Sequence, residues 1–114
     1  MEPIVEQALL YDFYGELLTE HQKEIYGDYV QYDLSPSEIA LDHGITRQAA
    51  YDMIKRCNKI LAGYEDKLHL IEKFLAIKEK VKKIDNLLDD YHEENAEELI
   101  VSIRRISDEI IEEL

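Results

Sequence analysis

The chain has little of what characterises secreted or membrane-inserted proteins. Among its 114 residues Cys57 is the only cysteine, so no disulfide can form within the chain, which fits a reducing cytosol. No apolar run approaches the roughly 18 residues that span a bilayer. The start also lacks the basic, apolar and small-residue pattern of a secretory signal. We therefore expect a cytoplasmic protein without membrane insertion.

Helix breakers and strand patterns are also scarce. There are two prolines, four glycines and no tryptophan, and alternating β-branched residues are almost absent. Hydrophobic residues make up 46% of the chain and charged residues 34%, which is enough apolar material to build a core. The sequence therefore predicts a folded, all-α protein.

The first half of the chain contains three helix signals. Apolar residues at helical spacing predict a first helix from Ile4 to about Leu18: Val5, Ala8, Leu9, Tyr11, Phe13, Leu17 and Leu18. Thr19 and Gln22 match a capping box, so a second helix should follow and reach about residue 29 to 32. Ser35, followed by Pro36 and by Glu38 three positions after the serine, predicts the start of a third helix.

The segment around Gly44 predicts a helix-turn-helix. Gly44 can adopt a positive φ and end the third helix after about two turns, and Thr46 can cap the next helix at once. Ile45 fills the turn, and the residues expected to face inward are Ile39, Ala40, Ala50, Met53 and Ile54. In such a motif the start of the second helix enters the major groove of DNA.

Three stretches carry a family resemblance: "YGELLTEHQKEIYGDYVQYDLSPSEIA", "GITRQAAYDMIKR" and "LAGYEDKLHL". Together, over roughly Tyr11 to Leu70, they resemble the YlxM family of small helix-turn-helix proteins, whose motif is similar to region 4 of bacterial sigma factors. The resemblance implies a role in DNA binding or regulation. Because this family is typically encoded beside signal recognition particle genes, it also implies a part in that protein-targeting pathway.

The resemblance has one departure at the recognition helix. Arg47 stands where sigma factors present a base-reading arginine, but Tyr51 and Asp52 stand where the housekeeping factors have a second arginine and a glutamine. The same promoter element is therefore not the expected target. The residues predicted to contact DNA are Thr46, Arg47, Gln48, Tyr51, Asp52, Lys55, Arg56 and Lys59.

Charge is unevenly distributed along the chain, whose formal net charge is -13. Residues 1–46 hold ten acidic side chains and one basic; residues 47–83 hold ten basic and five acidic; residues 84–114 hold two basic and eleven acidic. A local basic patch can contact phosphates and release counterions although the whole protein is acidic. The acidic flanks should weaken nonspecific binding, so the sequence predicts either a selective, modest DNA binder or the same fold used for another partner.

The second half predicts a helical hairpin. Apolar residues advance by steps of four and three through Leu70, Phe74, Ile77, Val81, Ile84, Leu88 and Tyr91. A second stripe follows at Ala96, Leu99, Ile103, Ile106 and Ile110, after a break near Asn95. A long helix and a C-terminal helix should thus fold back antiparallel. We expect residues 1–63 to form a helical domain, with the helix-turn-helix at 36–62, and residues 64–114 to form the hairpin.

A hairpin of this kind leaves apolar surface to cover. The first stripe is the predicted interface of a homodimer, since twofold dimers are the commonest oligomers. Alternatively, residues 4–32 pack on the hairpin and the protein remains a monomer.

No pattern predicts catalysis, a metal or a cofactor. The four histidines have none of the i, i+4 spacing of a helical metal pair, and the acidic doublets are typical of solvated helix surface. There is no glycine-rich phosphate loop and no Ser-His-Asp context, so we do not expect an enzyme. The tyrosines fall at helical spacing, which favours core packing over base stacking.

Three function classes remain. The first is a DNA-binding regulator, the second is an accessory protein of the signal recognition particle that binds its RNA or GTPase, and the third is a protein-binding adaptor. Affinity for a nucleic acid should fall steeply as salt rises, whereas an adaptor that binds through the apolar stripe should respond little.

Overall fold

The computed structural model describes residues 3–114, and all regular structure in this range is helical. The expected all-α fold is confirmed. The six α-helices are α1 (Pro3–Tyr14), α2 (Glu20–Gln31), α3 (Pro36–His43), α4 (Arg47–Leu68), α5 (Leu70–Asp89) and α6 (Ala96–Glu113). The chain divides into two compact units, one ending at Ile71 and one comprising Glu72–Leu114. None of the helices in the described range is long and apolar enough to cross a bilayer.

Capping side chains start the helices where the sequence indicates. Thr19 accepts from the Gln22 backbone N–H, and the Gln22 side chain accepts from the Thr19 N–H, which completes a capping box at α2. Ser35 and Glu38 make the same reciprocal pair at α3. These contacts satisfy N–H groups that a helix start would otherwise leave without partners.

The first helix is shorter than expected. It ends at Tyr14, and a single 3-10 turn, Gly15–Leu17, separates it from Leu18, whose backbone is extended. Val5 and Leu17 are exposed, whereas the buried line of this segment is Leu10, Tyr14 and Leu18. The prediction of one helix to Leu18 was wrong because the chain must turn here to reach the Thr19 cap.

The core of the first unit lies among α1 to α4. Its fully buried side chains are Tyr14, Ile25, Tyr26, Ile39, Cys57 and Leu61, with Ala50 equally inaccessible. Polar groups in this core have partners: the Tyr26 hydroxyl donates to Asn58 Oδ1 at 2.9 Å, and the Cys57 thiol donates to the Gln22 carbonyl at 3.9 Å. Buried polar groups with partners avoid a desolvation penalty and define one packing arrangement.

The junction of α4 and α5 extends this unit beyond the expected boundary at residue 63. His69 adopts a left-handed backbone with φ 56°, and α5 begins at the next residue. The Tyr14 hydroxyl donates to Glu65 Oε1 at 2.6 Å and accepts from the Leu70 N–H at 3.2 Å. Glu65 Oε1 also accepts from the Ile71 N–H at 2.9 Å. The first turn of α5 is therefore attached to α1 and α4, which moves the boundary between the units to Ile71.

The second unit is an antiparallel pair of helices. Asn95 closes the connection, since its Oδ1 accepts from the His92 N–H and its Nδ2 donates to the Asp90 carbonyl. Lys80 on α5 and Glu109 on α6 form an ion pair of 3.3 Å, so the two helices run side by side. Because the pair joins two long side chains, positions that lie equally many residues from Lys80 and Glu109 toward the connection are at similar heights, to within about one turn.

Candidate nucleic-acid interface

The turn between α3 and α4 has the geometry expected of a helix-turn-helix. Gly44 ends α3 with φ 65° and ψ 33°, and its N–H donates to the Ala40 carbonyl. Thr46 then caps α4, because its Oγ1 accepts from the Ala49 N–H at 3.0 Å. Only two residues therefore separate the end of one helix from the cap of the next, which holds the start of α4 at a defined angle.

Packing fixes which side of α4 faces solvent. Ala50, Ile54, Cys57 and Leu61 are buried against the other helices, as are Ile39 and Ala40 of α3. Of the inward residues predicted from sequence, Met53 and Ile45 are only half-buried. Because the buried residues of α4 recur every three or four positions, they occupy one side of the helix, and the opposite side is accessible to a ligand.

All eight residues predicted to contact DNA are exposed, and α4 or its cap carries every one of them. Gln48, Asp52, Lys55 and Lys59 follow one another along a single face, as spacings of three and four require. Arg47 and Gln48 lie with Tyr51 and Pro36 around a depression of about 420 Å³ between the starts of α3 and α4. The structure thus brings the first-turn residues of α4 together with the start of α3.

One polar contact within this surface was not foreseen. The Gln48 amide donates to Asp52 Oδ1 at 2.9 Å, along one turn of α4. The contact engages an oxygen of Asp52, the only acidic residue of the eight, and orients the Gln48 amide. Arg47, Lys55, Arg56 and Lys59 supply the positive charge that a phosphate requires.

A second groove on α4 was missed by the sequence reasoning. It has a volume of about 350 Å³ and is lined by Arg56, Lys59, Ile60, Gly63, Tyr64 and Lys67. A Cβ added at Gly63 would meet nothing within 4 Å, so packing does not require this mid-helix glycine. The available signal was the spacing of Arg56, Lys59, Gly63 and Lys67, which places them on adjoining parts of one helix surface.

The remaining candidate sites offer no reactive chemistry. Burial raises the pKa of the Cys57 thiol to about 11 against the opposing charge of Arg56, so this cysteine is a poor nucleophile at neutral pH. Within residues 3–114, no group of three or more His, Cys, Asp or Glu side chains is placed to hold a metal ion. His43 Nε2 instead contacts Asp28 Oδ2 at 3.0 Å, between α3 and α2.

Fold and site together define an all-α helix-turn-helix protein. The chain belongs to the UPF0122 family, whose model, described as "Putative helix-turn-helix protein, YlxM / p13 like", matches residues 1–104. The family resemblance stated from the sequence is thereby confirmed.

Relatives match over most of their length. A UPF0122 protein of Clostridium kluyveri is 46% identical over 100 residues, which cover 87% of this chain and 90% of the relative. UPF0122 proteins of Bacillus pumilus and Clostridium novyi are 41% and 40% identical, covering 93% and 98% of this chain and 97% and 98% of the relatives. No solved structure matches the chain.

Proposed function

We propose that this protein is a DNA-binding regulator that reads duplex DNA with the start of α4. The observation that carries the proposal is the exposed face of α4, where four basic side chains accompany one carboxylate behind a capped, two-residue turn. The proposed activity is binding rather than catalysis. Contacts between this face and DNA would give the helix-turn-helix of this family its function.

The eight residues divide by the chemistry they offer. Arg47 and Gln48 lie in the first turn of α4, and their side chains can pair in bidentate fashion with guanine and adenine edges, respectively. Lys55, Arg56 and Lys59 lie about two to three turns further along and suit phosphate oxygens, which position the protein without reading sequence. The remaining three residues lie on either side of the first turn of α4: Thr46 precedes it, and Tyr51 and Asp52 follow it.

The acidic remainder of the chain sets the strength of binding. A net charge of -13 repels a duplex at long range, so the basic face must act at short range. We expect weak binding to random sequence and a steep loss of affinity with salt. Two linked copies, as in the homodimer predicted from the sequence, would raise the effective concentration of the second recognition helix.

The alternatives bind a different macromolecule through the same chain. An accessory role in the signal recognition particle pathway predicts capture of particle RNA or of its GTPase, and the basic groove around Gly63 offers a second positively charged surface for the RNA phosphates. An adaptor would bind protein with little salt dependence. The experiment therefore includes all three kinds of ligand.

The experiment starts from a random duplex library, from which the wild-type protein selects a site. Binding to the selected duplex, a scrambled duplex, the particle RNA and the purified GTPase is then measured at several salt concentrations. Enrichment of one duplex supports the proposal. Failure to enrich any duplex, together with tight binding to RNA or GTPase, contradicts it.

Arg47→Ala tests the reading role. A bidentate base contact is worth about 1 to 3 kcal/mol, so affinity for the selected site should fall roughly five- to 150-fold, with little change on the scrambled duplex. Arg105→Ala is the matched control, since it removes one exposed arginine from α6. An equal loss on both duplexes would assign Arg47 to phosphate instead.

A further inference from the structure

The helical hairpin leaves much of its apolar surface exposed. Leu99 is the only buried residue of Glu72–Leu114. Large apolar side chains on both helices remain open to solvent: Phe74, Val81, Leu88, Tyr91, Ile100, Val101, Ile111 and Leu114. Exposed surface of this extent in a small unit marks an interaction site.

Of the predicted stripe on α5, only part faces α6. The Lys80–Glu109 ion pair identifies the contact side of α5, and Ile77 and Ile84, three and four residues from Lys80, are half-buried there. Phe74, Val81 and Leu88 are spaced seven residues apart and are exposed. They lie roughly a quarter turn round the axis of α5 from Lys80. The seven-residue spacing of these three is the seam of a helix contact that the hairpin itself does not use.

The open residues of α6 lie on the same flank. The least exposed line of α6 is Leu99, Ile103, Ile106 and Ile110, and Ile100 and Ile111 lie roughly a quarter turn beyond it. In two antiparallel helices that face each other, consider residues rotated away from the contact line in the same sense about each helix axis, viewed from that helix's N-terminus. Such residues lie on the same side of the pair. Phe74, Val81 and Leu88 therefore form one apolar face with Ile100 and Ile111, which we call the open face.

Charges at the edges of the open face complement each other. Asp85, one turn after Val81, edges the face on α5, and Arg104, one turn after Ile100, edges it on α6. Asp85 and Arg104 each lie five residues nearer the connection than Lys80 and Glu109, so the two are at similar heights in the hairpin. Further outward, Lys82 on α5 and Asp108 on α6 are again opposite in sign.

We propose that the open face binds the open face of a second copy of this chain, around a twofold axis parallel to the helices. That axis places α5 of one copy on α6 of the other, antiparallel and at unchanged heights, so that Asp85 faces Arg104 of the second copy. It also sets α5, with five lysines, against α6, with six acidic residues. The product is a four-helix bundle whose core contains Phe74, Val81 and Ile111.

The first experiment compares two valines in the full-length chain. Val81 is 45% exposed on the open face, and Val101 is 60% exposed on the opposite side of α6. Sedimentation should show a wild-type dimer at micromolar concentration. Val81→Glu should weaken association by at least a hundredfold, because the bundle would bury an unpaired carboxylate, while Val101→Glu should sediment like wild type. Circular dichroism checks that both variants stay helical.

The second experiment reverses the edge charges. Asp85→Arg alone and Arg104→Asp alone each place like charges across the twofold axis, and each should weaken self-association about tenfold, as two exposed ion pairs per dimer become repulsive. Mixing the two variants should restore wild-type affinity as a heterodimer, since every facing pair is then opposite in charge. Within either single chain the two edge charges stay alike, so only contact between copies explains this rescue.

The outcomes separate the occupants of the open face. A wild-type chain that still sediments at its 13.4 kDa monomer mass at about 100 µM overturns the proposal. So does a dimer that Val101→Glu disrupts as strongly as Val81→Glu, or a mixture of charge variants that shows no heterodimer. DNA selection by the same samples is read separately, so failure of the dimer leaves the role of α4 intact.

Discussion

Tyr14→Phe should destabilise the first unit far more than removal of one hydroxyl from an exposed tyrosine. The Tyr14 side chain is 1% exposed, and its hydroxyl contacts both Glu65 and the Leu70 N–H. Burial first, and then the hydrogen bond to Glu65, raise the pKa of this tyrosine, so the hydroxyl stays a donor at neutral pH. The substitution keeps the ring that stacks at 6.1 Å on Tyr64.

The magnitude follows from the two hydrogen bonds. A hydrogen bond to a charged group contributes about 1.5 to 3 kcal/mol, and the backbone N–H of Leu70 left without its partner adds about 1 kcal/mol. We therefore expect a loss of about 3 kcal/mol in the free energy of unfolding. For a unit of this size such a loss lowers Tm by roughly 12 to 24 °C.

Urea unfolding followed by circular dichroism measures the effect. Tyr32→Phe is the control, because Tyr32 is exposed and its substitution should change the free energy of unfolding by less than about 0.5 kcal/mol. Glu65→Gln should give a smaller loss than Tyr14→Phe, since an amide oxygen still accepts both bonds. A Tyr14→Phe variant as stable as Tyr32→Phe would refute the account of the α4–α5 junction.

Two further predictions concern backbone and pH. Gly44→Ala should destabilise the protein by about 1 to 2 kcal/mol because its φ is 65°, whereas Gly63→Ala should stabilise it by about 0.5 to 1 kcal/mol because α4 has open space there; thermal melts of the pair check the opposite signs. The folded state holds the Cys57 proton more tightly than the unfolded chain, whose thiol keeps its ordinary pKa of 9.0, so stability should be intact below about pH 9 and fall as pH rises toward about 11. Burial also raises the pKa of Tyr26, which steepens the alkaline loss, and a flat stability profile from pH 8 to 11 would contradict both assignments.

Local signals were sufficient for the elements around the candidate site. The caps at Thr19, Ser35 and Thr46 and the helix end at Gly44 make hydrogen bonds with residues at most four positions away. Such local contacts can be predicted from neighbouring residues in the sequence. The buried spacing of α3 and of most of α4 follows from the same short-range periodicity. For this reason the amino-acid sequence alone predicts the all-α class, the helix-turn-helix and the exposed residues of α4.

Long-range contacts decided the rest. The break at His69 and the boundary at Ile71 depend on contacts such as Tyr14 to Glu65, which join residues 51 positions apart. The stripe from Leu70 to Tyr91 is uniform in sequence, but Ile77 and Ile84 lie with Lys80 on the side that faces α6, whereas Val81 and Leu88 are exposed. Periodicity specifies that a helix has an apolar face, whereas only the packing of another helix determines which part of that face remains open.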